Sequence, residues 1–255
     1  MCILFIAVNQ HQAYPLIIAA NRDEFYARPT AKSCFWDEYP HMLAGKDVQA
    51  GGSWMGINRQ GQIGALTNIR DPRHINQLAP TRGKLVSDYL TQSMSAQQYL
   101  QKLKQQGGQY NGFNLLFGQW HDLQVYNNHD RQTQDLTTGV YGLSNASLNS
   151  PWPKTASGME RLANYCADSH GLEPEHLFTL LRDDTQARDE DLPQTGVPLE
   201  WERKLSSIFI QSPDYGTRSS TLILIDQKQR ATWQERTFDH TGQCIVQQNY
   251  NFDIK

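Results

Sequence analysis

A cysteine at position 2 and the polar run Asn21-Arg22-Asp23-Glu24 hold the residue types that could do chemistry. Met1 is readily removed when a small residue such as Cys follows it. Its loss would leave Cys2 with a thiol and a free α-amine on one residue. An α-amine titrates at about 7.7–8 and can act as a base near neutral pH. A thiol, near about 8.5, needs only a modest push from a neighbouring cation to become a thiolate. Such a residue is a nucleophile that carries its own base. The same cysteine, opening an apolar stretch, also suits use as a small buried hydrophobe. Residue type alone leaves both uses open.

The elements around these residues decide what they can reach. Cys2 to Val8 is continuously apolar and reads as a strand buried on both faces. Pro15 to Ala20 reads the same way, and Asn9-Gln10-His11-Gln12 joins the two as a hairpin turn. Antiparallel pairing then brings Asn21-Arg22-Asp23-Glu24 beside Cys2. Strand alternation sends Asn21 and Asp23 to one face and Arg22 and Glu24 to the other. An Asp there would orient an ammonium group, and an Arg would lower a thiol pKa. A charged turn closed by a pair from Arg22 to Asp23 or Glu24 is the plainer use of the same residues.

Downstream, residues 25 to 50 read as irregular, with Pro29, Pro40 and Gly45. Residues 54–58 and 62–68 form a second hairpin. Helices are expected over Lys84–Thr91 and after Ser95, which with Gln98 makes a capping box. Gly107 ends the second of these helices. Strands follow at 113–117, 123–126 and 140–143. A helix runs from Pro153 to Tyr165 and another begins near Pro174. Residues 183–200 are a loop, and strands at 208–211, 222–226 and 232–238 close the chain. Hairpins dominate, so the expected class is α+β: mainly antiparallel sheets face to face, each covered by helices.

Composition narrows the function. The 255 residues read as one domain spanning 1–255. Net charge is −3 and no Lys/Arg block occurs, which argues against nucleic acid as the main partner. Cys2, Cys34, Cys166 and Cys244 are widely spaced with no C-x-x-C. A zinc site, a redox pair and a disulfide scaffold are therefore not expected, and a reducing compartment is. No signal-like segment and no run of 18 apolar residues appears, so the expected location is cytoplasmic with no transmembrane segment. The acidic residues of 183–191 lack the ligand alternation of a calcium loop. Leu192-Pro193-Gln194-Thr195-Gly196 lacks the apolar span of a sorting signal. No metal site is assigned.

The sequence resembles the NRDE family, also called the Transport and Golgi organisation protein 2 family. The likeness runs through Met1-Cys2, Asn21–Glu24, Ala50–Gly56, Ala65–Asn68, Gly112–Leu116 and Tyr141–Asn145. It continues through Pro151–Lys154, Leu192-Pro193, Thr195–Val197 and Tyr215–Thr221. The resemblance implies the four-layer αββα sandwich of N-terminal nucleophile hydrolases of the penicillin V acylase and bile salt hydrolase kind. It carries the catalytic set of those enzymes onto Cys2, Asp23, Asn145, Arg218 and Asn68. In that set Asn145 and Asn68 would donate to an oxyanion, and Asp23 and Arg218 would position the nucleophile. One departure stands out. The hydrolase Arg that precedes the Asp by three residues falls on Ala20, so Arg22 would have to substitute from the opposite strand face.

The resemblance also implies a biology of haem trafficking and of lipid or acyl-CoA homeostasis. The expectation is a cytoplasmic binding or trafficking protein for haem or a similar amphipathic cargo. No cofactor is required, and haem enters as cargo. Asn21, Arg22, Glu24, Trp54 and Trp152 are the expected pocket residues. Trp120 and Trp201 are aromatics that suit either core or pocket. Axial ligands for haem could come from His11, His41, His74, His121, His129, His170, His176 or His240, none marked by pattern. The alternative is an N-terminal cysteine amidohydrolase cleaving a non-peptide C–N bond.

Overall fold

Apolar side chains on both faces of one strand need a packing layer on each side, and the computed structural model supplies them. It describes residues 2–168 and 171–255. In chain order the strands are β1 (Cys2–Val8), β2 (Leu16–Phe25), β3 (Thr30–Trp36), β4 (Tyr39–Asp47), β5 (Met55–Asn58) and β6 (Gln62–Asn68). Helices α1 (Gly83–Thr91) and α2 (Ala96–Gln106) come next, then β7 (Phe113–Gln119), β8 (Asp122–Asn127), β9 (Gln132–Asp135) and β10 (Gly139–Leu143). Helices α3 (Pro153–Asp168), α4 (Pro174–Leu181) and α5 (Leu199–Lys204) lead to β11 (Tyr215–Ile225), β12 (Arg230–Phe238) and β13 (Cys244–Asp253). The strands form two antiparallel sheets, ordered β10-β1-β2-β11-β12-β13 and β3-β4-β5-β6-β7-β8-β9.

Alternation assigns the layers. Cys2, Leu4, Ile6 and Val8 of β1 point between the sheets, against Met55, Ile57, Ile63, Ala65 and Leu116. Ile3, Phe5 and Ala7 point outward onto Leu162 and Cys166 of α3 and Leu177 and Leu181 of α4. The far face of the second sheet, with Phe113, Leu115 and Phe117, is covered by Val86, Tyr89 and Leu90 of α1 and Tyr99 and Leu103 of α2. The result is the expected αββα sandwich. The capping box of α2 forms: Ser95 Oγ accepts from Gln98 N at 3.2 Å and Ser95 N donates to Gln98 Oε1 at 3.0 Å.

Several elements differ from the sequence reading. β2 does not stop at Ala20 but runs to Phe25, so Asn21–Glu24 lie inside the strand. Residues 30–47 are not irregular: they are the hairpin β3–β4. Ile208–Gln211 is not a strand. Ile208, Phe209 and Ile210 form a buried connection, and the exposed Gln211 after them bridges Gly216. β9, α5 and β13 arise where no element was expected.

The β1–α3 contact has no slack. A Cβ on Gly158 of α3 would lie 2.1 Å from the ring of Phe5, which is fully buried. In an isolated helix Gly→Ala gains about 1 kcal/mol. Overpacking a core costs about 1–3 kcal/mol. Gly158→Ala is therefore expected to lower the urea midpoint despite the better helix former. A midpoint equal to or above that of the parent protein would contradict this packing.

Candidate functional site

The site is set by the register of β1 on β2. Cys2 lies directly opposite Arg22, and Leu4 opposite Ala20. Cys2, Ala20 and Arg22 therefore share the face between the sheets. This corrects the expectation that Arg22 lies on the strand face opposite to the Ala20 position. The Arg22 guanidinium stacks 4.3 Å from the centre of the Trp54 ring, and its Nη1 donates to Thr30 Oγ1 at 3.1 Å. Trp54 is placed by the turn before β5. A Cβ on Gly52 would meet the Gly83 carbonyl carbon at 2.3 Å, so only glycine lets this turn reach the start of α1. Ser53 N donates to Gly83 O there, at 3.1 Å. Burial pushes the Cys2 thiol above its ordinary pKa; the Asp23 charge adds to this and the Arg22 charge opposes it.

Asn21 and Asp23 point the other way, toward the helices. Asn21 Nδ2 donates to the carbonyls of Leu181 and Ile208 at 2.8 and 2.9 Å. Its Oδ1 accepts from Ser220 Oγ at 2.6 Å. Asn21 therefore joins β2 to α4 and to the connection before β11. Asp23 accepts from Thr217 Oγ1 at 2.7 Å, and burial raises its pKa while Lys154 lowers it. Lys154, in the first turn of α3, is buried. Burial and the nearby Arg70 charge push its ammonium down to about 8, with Asp23 opposing.

Two compartments open at the ends of β1 and β2. One, of about 250 Å³, is polar and is lined by Cys2, Arg22, Asp23, Arg28, Asp47, Trp54 and Arg82. The other, of about 420 Å³, is largely apolar, with Phe25, Ile69, Ile75, Trp201, Leu205 and Tyr215. Glu24, Asn68, Arg82 and Asn111 line both, so the two adjoin each other. Arg28 is neutralised by Asp47, which accepts from its Nε and Nη2 at 2.9 and 2.7 Å. Among the described residues no carboxylate lies within ion-pair distance of Arg22 or Arg82. Arg82 Nη1 donates to Gly112 O at 2.9 Å, and burial lowers its pKa. A cavity with two such arginines is suited to a carboxylate or phosphate.

The back of the apolar compartment is held by an ion pair. Arg70 Nη1 lies 2.6 Å from Glu202 Oε2, and both side chains are buried. The Arg70 guanidinium stacks 4.8 Å from the Trp152 ring. Glu202 Oε1 also accepts from the backbone N of Thr195 at 2.9 Å. This cluster ties the segment after β6 to α5 and to the loop before it.

The expected site residues thus divide. Cys2, Arg22, Asp23, Glu24, Trp54 and Asn68 line the compartments. Asn21, Asn145, Trp152 and Arg218 do not line either one. Asn145 Nδ2 donates to the Asn68 carbonyl at 2.9 Å, so it holds Asn68 in place. Arg218 sits on the β-bulge of β11, where its Nη1 donates to the carbonyls of Phe25, Tyr26 and Arg28. It fixes the turn that carries Arg28. Of the remaining aromatics Trp201 lines the apolar compartment and Trp120 does not. Of the histidines His74 and His129 line it, and His170 lies outside the described residues. Arg28, Arg70, Arg82 and Lys154 were not singled out from sequence. Lys154 sits inside Pro151-Trp152-Pro153-Lys154, which was a readable signal; Arg82 stands in no motif.

Comparison with known proteins places this geometry. Residues 1–240 match the family model described as Transport and Golgi organisation 2. The chain is 36% identical to the Transport and Golgi organization 2 homolog of Mus musculus over 257 residues, covering 93% of each chain. It is 38% identical to the homolog of Bos taurus over 261 residues, again with 93% of each covered. Among solved structures it is similar to the C2A mutant of the conjugated bile acid hydrolase of Clostridium perfringens. The TM-score is 0.54 at 11% identity, over 100% of this chain and 92% of that one. That likeness is one of fold.

Removing one partner of a buried ion pair leaves the other charge uncompensated, at about 3–5 kcal/mol. Glu202→Ala is expected to lower Tm by roughly 10 °C in a chain of this size. A thermal melt unchanged within about 2 °C would mean that the Arg70–Glu202 pair does not hold this wall.

Proposed function

The chain belongs to the Transport and Golgi organisation 2 family, and from that premise we propose that it binds a small amphipathic molecule with an anionic end. The anionic end lies in the polar compartment, against Arg22 and Arg82. The apolar body extends past Asn68 and Asn111 into the compartment lined by Phe25, Ile75, Trp201 and Leu205. The single observation that carries this reading is the junction: two compartments of opposite character share four lining residues. Together they fall within the roughly 300–1,000 Å³ of small-molecule sites. The reading extends to a cytoplasmic carrier of haem or of a fatty-acyl cargo, with no cofactor of its own.

Both cargo classes have an anionic end and an apolar body, and one residue separates them. His74 lines the apolar compartment, and its Nδ1 lies 2.6 Å from Asp71 Oδ2. A histidine whose second nitrogen bonds a carboxylate is oriented as a metal ligand. That arrangement supports haem, with Nε2 of His74 toward the iron. A fatty-acyl anion would make no use of it.

The test is a pair of titrations, one with haem followed by its absorbance and one with a fluorescent fatty-acyl carboxylate. Charged hydrogen bonds contribute about 1.5–3 kcal/mol, so Arg22→Ala and Arg82→Ala should each weaken binding by roughly 10- to 100-fold. His74→Ala should change the bound haem spectrum and leave the acyl probe unaffected. Cys2→Ser should retain binding. Absence of saturable binding by either probe would overturn the reading.

A second reading rests on Cys2, whose thiol borders the polar compartment beside Arg22. With Met1 removed, it could act as an N-terminal cysteine amidohydrolase on a C–N bond. Asp23 would then orient the α-amine. Burial works against this use by raising the thiol pKa above its ordinary value. A raised pKa means little thiolate at neutral pH, so alkylation of Cys2 by iodoacetamide should be slow at pH 7 and rise steeply above pH 9. Fast labelling at pH 7, with an intact mass lacking Met1, would favour the hydrolase over the carrier.

A further inference from the structure

The surface around the mouth of the apolar compartment is unusual for a surface in water. Large hydrophobic side chains exposed among the described residues include Phe25 (49% exposed), Ile75 (63%), Leu78 (94%) and Leu199 (49%). Phe25 and Ile75 line the apolar compartment itself. Leu78 follows Ile75 on the loop between β6 and α1, and Leu199 opens α5, which carries Trp201. Leu78 precedes Ala79, which lines the polar compartment, and Leu199 lies between Val197 and Trp201, which line the apolar one, so exposed apolar side chains from three segments stand in or next to lining residues.

This rim is a built feature. The loop tip is fastened by Asn111, whose Oδ1 accepts from Asn76 N at 2.8 Å and whose Nδ2 donates to Asn76 O at 2.9 Å. Asn76 Oδ1 in turn accepts from the backbone N of Leu78 at 2.9 Å. These bonds fix the backbone at Leu78, whose side chain is exposed. The charge of the loop is equally one-sided. Residues 72–84 contain Arg73, His74, Arg82 and Lys84 and no carboxylate, in a chain of net charge −3. Arg73 and Lys84 are exposed. The nearest carboxylate in sequence, Asp71, is engaged by His74 at 2.6 Å and faces Arg73 at 3.6 Å.

We propose that this mouth docks on the surface of an anionic lipid bilayer. Ile75 and Leu78 enter the boundary between headgroups and acyl chains, and Arg73 and Lys84 lie over lipid phosphates or carboxylates. Protruding aliphatics beside basic residues are the combination that binds such an interface. The proposal takes its direction from the amphipathic-ligand reading: a cargo with an acyl or macrocyclic body is held in bilayers, and the compartment opens in the middle of the patch. No helix among the described residues is long and apolar enough to cross a membrane, so the contact is peripheral.

The experiment is co-sedimentation of the full chain, without ligand, with phosphatidylcholine vesicles containing or lacking one-fifth phosphatidylserine. Leu78 lines neither compartment, so Leu78→Asp tests the rim without touching the ligand site. The full chain is expected to sediment with the phosphatidylserine vesicles, less so at high salt. Leu78→Asp should lower the partition coefficient about tenfold or more, the amount one buried aliphatic contributes. Leu78→Trp should show a blue-shifted emission on adding the same vesicles. A protein that stays in the supernatant, or a Leu78→Asp variant that sediments like the parent, overturns the docking. The two ideas are separated by titrating the unsubstituted chain with the haem and acyl probes beside the vesicle assay. Binding of a probe by a chain that does not bind vesicles ends the docking alone. Vesicle binding by a chain that binds neither probe leaves the docking and ends the ligand reading.

Discussion

β2 is buried on both faces from Leu16 to Asp23, and its residues 21–24 are polar. It lies between β1 and β11, with helices on one side and the second sheet on the other. Whatever follows Ala20 on that strand must satisfy two dry layers at once, because alternation sends neighbours to opposite faces. Asn21 and Asp23 go to the helix side, where the Leu181 and Ile208 carbonyls, Ser220 and Thr217 receive them. Arg22 goes to the sheet side, where Trp54 and Thr30 receive it. The cavity exists because the β1 end cannot cover what β2 carries past it. Cys2 is simply the side chain that register sets opposite Arg22.

The same constraint acts on the Cys2 thiol and the residues around it. A nucleophilic thiol needs its anion stabilised more than its neutral form. Here burial raises the Cys2 pKa, and Arg22 is drawn toward the face of Trp54. Asn145 is bound to the Asn68 carbonyl, so its amide serves the backbone of the β6 end. Arg218 is likewise bound to three carbonyls of the turn after β2. Each of these residues supports the wall of the cavity.

The layers were legible because long apolar runs such as Cys2–Val8 and Leu222–Ile225 require burial on both sides. The polar strands were not. β3 and β4 carry Pro29, Pro40 and Gly45, which read as breakers, yet each has another cause. Pro29 precedes the strand, Pro40 is the second residue of β4, and Gly45 lies under the Trp54 ring. β13 is an edge strand with mostly solvated side chains, and its Gln and Asn residues hide the alternation. Of the site, the part fixed by local alternation was readable: Cys2, Asp23 and Glu24. Of the parts brought in from distant segments, Trp54 and Asn68 were readable only through the family motifs, and Arg82 was not. Arg82 reaches the cavity because Gly52 lets two loops touch, and no spacing rule links residues 52 and 82.

The loop beside the cavity is anchored by several contacts of its own. The segment from β6 to α1 is held by Ile69 N to Gly112 O, Arg70 N to Asn145 O, Arg70 to Glu202, Asn76 to Asn111, and Arg82 to Gly112. These contacts come from α5, the segment before β7 and the segment after β10, so no single element can move the loop. Ordering a loop on binding consumes affinity, and a wall already ordered avoids that loss. The cost appears elsewhere: Arg70, Glu202 and Lys154 are buried charges near one another, tolerable only while every partner is in place. A protein that concentrates buried charge behind an open cavity has given up stability for a fixed shape: the wall and the ion pairs behind it stand or fall together.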